Sequence, residues 1–138
     1  MVDIDKLDKT LQEIVRLKNL LSTMGYDSQD YDSVEEELHD KEDAFVEEFG
    51  DYMDEVLHTV HDEYCPDNDV LLPTAYLAQQ YIITPENEFD AGSNSGVFVD
   101  ADDFPGQNIR MVLIPNPTRL VLNINANSKE VVWTAGQN

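Results

Sequence analysis

Apolar residues recur at helical spacing from the start of the chain, with Ile4, Leu7, Leu11, Ile14 and Leu21 on one face and Val15, Leu17, Leu20 and Met24 widening it. The pattern predicts a first helix over roughly residues 3–24. Gly25 stands where a helix commonly takes its left-handed C-terminal residue. An apolar face this broad needs more than one neighbour, either a second helix plus a sheet or another copy of itself.

A second helical phase follows a polar Asp/Ser/Tyr link. At 100° per residue, Val34, Leu38, Phe45, Phe49, Tyr52, Val56 and Val60 fall close to one line, and the phase continues past Gly50. Ser33 and Glu36 have the spacing of a capping box, so the helix is expected to start at Ser33 and run to about Tyr64. Gly50 lies off the apolar line and costs about 1 kcal/mol relative to alanine. The two helices read as an antiparallel hairpin.

After Pro66 the grammar changes to short β-branched runs punctuated by proline, glycine and asparagine, which is how strands and turns read. Residues 73–81 suit a short helix with proline near its start, leading into a strand over 81–84. Residues 86–96 read as a loop. Strands are expected over 96–101, 109–114, 119–125 and 130–134, joined by links short enough for an antiparallel meander. In the 119–125 strand, Leu120, Leu122 and Ile124 would face the core, with Val121, Asn123 and Asn125 outward.

The expected fold is therefore α+β, an N-terminal antiparallel helical hairpin packed on a small antiparallel β-meander. The 138 residues suit a single domain, with 3–64 as the hairpin and 70–135 as mainly sheet.

Charge changes this picture most in one segment. Eighteen acids and one base, Lys41, fall between Asp27 and Asp69, so this segment holds most of the formal charge of −21. Such a chain repels nucleic acid and anionic membranes and favours a basic protein as partner. Cys65 is the only cysteine, so an intrachain disulfide is impossible. The opening MVDIDKLDK lacks the apolar core of a signal peptide and no run has the length of a membrane span, so a cytoplasmic protein is expected.

Between Asp30 and Glu63 there are fifteen acids over about 51 Å of helix, or one per about 3.4 Å. A single DNA strand carries phosphate at a similar axial density. Glu35, Glu36, Glu37, Asp40, Glu47, Glu48, Asp51 and Asp54 are the candidate partner-binding residues. The expected function is a non-enzymatic acidic module docking a basic protein surface, as an inhibitor or immunity-type protein, a nucleic-acid mimic or an acidic chaperone. The plainer alternative is a solvated helix face serving solubility or life at high salt.

Asp54, His58, His61 and Cys65 offer donors suited to zinc, about one turn apart and opposite the apolar line. One straight helix seldom wraps a tetrahedral ion, so surface residues are the simpler account and no cofactor is expected. A metal-binding protein or metal-dependent hydrolase built on His58, His61 and Cys65 is the second functional class. A structural homo-oligomer formed through the first helix is the third. Asp100, Asp102 and Asp103 end a strand, but the loop they open fails the EF-hand pattern. Nearby acids should raise the Cys65 pKa and blunt its reactivity. Trp133, Tyr76, Tyr81 and Phe98 sit in apolar runs and read as core.

Overall fold

The computed structural model describes residues 2–92, 94–125 and 128–136. Helix α1 spans Ile4–Ser22, and Asp3 caps it by accepting the Lys6 N–H at 3.1 Å. It ends without the left-handed glycine expected at position 25. Thr23 stays in the right-handed region with its N–H on the Leu20 and Leu21 carbonyls, and the Ser22 and Thr23 hydroxyls take the Asn19 and Leu20 carbonyls. Local hydroxyls thus satisfy the carbonyls that a glycine cap would have served.

Helix α2 spans Tyr31–Tyr64 and passes unbroken through Gly50. The expected capping box is not formed: Ser33 already lies inside the helix, which begins at Asp30 without a side-chain cap. Tyr31 instead packs on Tyr26, ring centroids 5.0 Å apart, so an aromatic contact in the link coincides with the helix start. Two exposed ion pairs, Lys6 with Glu48 at 2.8 Å and Glu13 with Lys41 at 3.0 Å, cross between the antiparallel helices.

Pro73–Tyr76 forms one 3₁₀ turn, shorter than the helix expected over 73–81. Strands β1 (Tyr81–Ile83) and β2 (Phe89–Ala91) pair as an antiparallel two-stranded sheet. Strand β2 lies inside the segment read as loop, because Phe89 and Ala91 are buried on either side of a half-buried Asp90. Strands β3 (Val97–Val99), β4 (Ile109–Ile114), β5 (Arg119–Ile124) and β6 (Ser128–Thr134) form the expected meander, in the order β3-β4-β5-β6. Ser128 and Lys129 belong to β6, not to the link before it; Ala126 and Asn127 lie outside the described residues.

Met111 opposite Leu122 and Leu113 opposite Leu120 make the side of the sheet that meets the helices. Trp133, paired with Leu120, comes within 6.3 Å of the Tyr52 ring of α2. Met111, Leu113, Leu120 and Leu122 join Leu7, Leu11, Ile14 and Val15 of α1 and Phe45, Phe49, Met53 and Leu57 of α2 in one buried core, with Tyr52 and Trp133 partly buried against it. Each fully buried leucine or phenylalanine there stabilises the fold by about 1.5–3 kcal/mol.

The opposite side of the sheet departs from expectation. Val121 and Asn123 do point away from the helices, but they are only 3% and 0% exposed. Strand β2 and the chain after it cover them. Arg119 Nη2 donates to the Phe89 carbonyl at 2.7 Å, Lys129 Nζ to Asp90 Oδ1 and the Ala91 carbonyl at 2.8 Å, and Asn123 Nδ2 to the Gly92 and Ser95 carbonyls at 3.3 Å. Helix α1 reaches the same region: Asn19 pairs with both backbone groups of Tyr81, and Asp8 Oδ1 accepts from the Asn116 N–H and the Thr118 hydroxyl at 2.8 Å each. Helix α1 therefore has two neighbours within the chain, α2 and the strand region.

Candidate functional site

The buried line of α2 runs through Leu38, Phe45, Phe49, Met53, Leu57, Val60 and His61. It drifts around the helix relative to the line read from sequence, leaving Val34, Tyr52 and Val56 only half-buried. The drift has a simple cause. The 34-residue helix meets α1 along one part of its length and the 3₁₀ turn and Trp133 of β6 along another, so its inward face changes with its neighbours.

Opposite this line stands a row of carboxylates. Glu36, Asp40, Asp43, Glu47, Asp51 and Asp54 follow one another at steps of three or four residues, and all are exposed. From Glu36 to Asp54 the row is about 27 Å long, with one carboxylate per turn of about 5.4 Å. A partner on that side therefore meets a sparser charge than the 3.4 Å average over the whole circumference. Asp43 belongs to this row although it was not among the residues picked from sequence; its spacing, three after Asp40 and four before Glu47, was the available signal.

The other candidates sit elsewhere. Glu35 is half-buried, and Glu37 is exposed off the row. Glu48 is engaged by Lys6, and its hydrogen bond and charge raise the lysine's pKa above its ordinary value. Lys41 turns to Glu13 and not along its own helix to Glu37. At the end of the row, His58 Nε2 lies 3.5 Å from Asp54 Oδ1. Among the described residues, Glu36, Asp40, Glu47 and Asp51 make no ion pair.

The four zinc-type donors separate. Asp54 and His58 are exposed, whereas His61 is 2% and Cys65 0% exposed, so the last two belong to the core and not to the polar face. His61 Nε2 lies 2.8 Å from the Tyr76 hydroxyl and Nδ1 lies 3.1 Å from the Asn68 carbonyl. Burial, helped by the charge of Asp102, pushes the Cys65 thiol up to about 11 from 9.0. Burial is the larger cause, ahead of the nearby acids. No group of three or more His, Cys, Asp or Glu donors converges among the described residues. Asp100, Asp102 and Asp103 are exposed, and their loop is anchored by Asp100 N–H on Asn68 Oδ1 and Asp102 N–H on the Tyr64 carbonyl.

Tyr76 and Tyr81 are buried as expected and Trp133 is half-buried, while Phe98 on the edge strand β3 is 50% exposed. Among the described residues, no helix is long and apolar enough to cross a membrane. Comparison with family models, with curated proteins and with solved structures finds no match for this chain.

Proposed function

We propose that this protein is a non-enzymatic binding module whose α2 docks a basic surface of another protein. The observation that carries this reading is the solvent-exposed row from Glu36 to Asp54, with Glu36, Asp40, Glu47 and Asp51 outside any ion pair among the described residues. Its backbone is held by the buried residues on the other side of the same helix, so the carboxylates keep their spacing without a partner and little ordering is left for binding. Repulsion between neighbouring acids is relieved when basic side chains intervene, which makes association favourable and fast at low salt. The partner that fits best carries bases repeating about once per helical turn, as on a basic helix or along the wall of a groove that holds nucleic acid.

A pull-down with untagged protein from native lysate at low salt, eluted by a salt gradient, tests the proposal. One stoichiometric basic protein is expected, released by salt and lost when Asp43, Glu47, Asp51 and Asp54 are changed to their amides. A diffuse set of cationic proteins, or a partner retained by the amide variant, would refute it. Competition with nucleic acid for the captured partner then separates an inhibitor that blocks a nucleic-acid site from a chaperone.

A further inference from the structure

A cleft of about 800 Å³ opens between residues 75–82 on one side and Gly92, Asn94, Ser95 and Gly96 on the other, and Arg110 of β4 is the cationic residue on its wall among the described residues. Among the described residues, five of the other seven basic side chains have evident partners; the exceptions, the exposed Lys9 and the half-buried Lys18 of α1, do not line this cleft. Lys6, Lys41 and Lys129 pair with carboxylates, Arg119 donates to three carbonyls, and Arg16 lies over the Phe89 ring and donates to Asn87. Among the described residues, Arg110 makes one long 3.3 Å bond, from Nη1 to the Gly96 carbonyl, and its buried Nε has no partner. Directly across the β4–β5 pair, the fully buried Asn123 leaves its Oδ1 unpartnered as well among the described residues.

A buried donor without an acceptor destabilises the fold, so such a group points to something that completes it. We propose that the cleft binds a small molecule through an oxyanion, a carboxylate or phosphate group, with Arg110 as its anchor. The guanidinium offers parallel N–H groups that match two oxygens of either anion, which a lysine in its place would not. Ser95 and the exposed Gln79 and Gln80 add polar groups at the rim, while Leu77 and Ile82 provide apolar wall for the rest of the ligand. The net charge of −21 opposes anions at long range, so selection rests on the fork at short range and not on steering. This site does not depend on the acidic row of α2, and either reading can fail without the other.

The test is an NMR titration of the ¹⁵N-labelled full chain with inorganic phosphate and, separately, with acetate, at an ionic strength held constant by chloride. Saturable shifts are expected at the Arg110 Nε–Hε group and at the Ser95, Gly96 and Ile82 amides, and the probe that saturates first identifies the preferred anion. Arg110→Gln should weaken binding at least about tenfold. Arg110→Lys, which keeps the charge without the fork, should also weaken it and serves if the glutamine variant does not fold. Linear drift without saturation, an unmoved Nε–Hε signal, or equal binding by the lysine variant would overturn the proposal. An unmoved signal would mean that Arg110 and Asn123 bond to each other.

Discussion

His61 and Tyr76 are joined by a 2.8 Å hydrogen bond inside the core, and the partners around them define its direction. The Asn68 carbonyl can only accept, so in the neutral ring His61 Nδ1 carries the proton and Nε2 accepts from the Tyr76 hydroxyl. The phenol oxygen in turn accepts the Leu71 N–H at 3.1 Å. Tyr76→Phe leaves both a ring nitrogen and a backbone N–H unpaired and should destabilise the protein by about 1–3 kcal/mol. Urea denaturation checks this; a loss below about 0.5 kcal/mol would mean that water replaces the hydroxyl.

Cys65 should make stability fall in alkali. Below 9.0 folded and unfolded chains both keep the proton and stability has its full value. Between 9.0 and about 11 the unfolded chain releases it first, so stability drops by about 1.4 kcal/mol per pH unit at most. Burial raises Tyr76 and Tyr81 too, extending the decline to higher pH. Denaturation midpoints measured from pH 8 upward should show this slope and a shallower one in Cys65→Ala. The native thiol should also resist a disulfide reagent until the chain unfolds.

Salt should stabilise the fold. The row from Glu36 to Asp54 consists of like charges three and four residues apart, each pair costing about 0.2–0.5 kcal/mol. The opposing exposed pairs, Lys6 with Glu48 and Glu13 with Lys41, are worth about 0–1 kcal/mol each and are screened as well. The net charge of −21 tips the balance toward repulsion. The melting temperature should rise as sodium chloride goes from about 10 mM to about 0.5 M, over which the screening length falls well below the length of the row. A constant or falling value would show that the cross-helix pairs dominate.

Gly50 is a stabilising target. It lies in the middle of α2, and a Cβ there would meet Val46 Cγ1 at 3.4 Å, an ordinary contact. Gly50→Ala should add about 0.5–1 kcal/mol by reducing the freedom of the unfolded chain. Thermal melting reads this directly. Loss of stability would mean that the helix needs the glycine to bend around its two neighbours.

Both helices, their antiparallel pairing and the four-strand meander were legible because each rests on a periodicity that its own residues carry. The acidic row was legible in outline for the same reason. Strand β2 was not, since three residues among Asn, Asp and Gly have too little pattern of their own; Phe89 and Ala91 become a strand by packing on the rest. The helix ends misled because Ser33 and Gly25 have the right identity in the right spacing, while hydroxyl bonds and the Tyr26–Tyr31 contact set the actual ends.

The sequence by itself determined the two helices, the four-strand meander and the element on which the charge lies, because backbone propensity and hydrophobic period act between near neighbours. The tertiary structure alone decided that His61 and Cys65 enter the core, that β2 covers Val121 and Asn123, and that Arg110 reaches a cleft without a carboxylate. Those outcomes depend on what lies against each face. Asp8 meets Asn116 and Arg119 meets Phe89 across separations of 108 and 30 residues, and no period within one segment encodes such contacts.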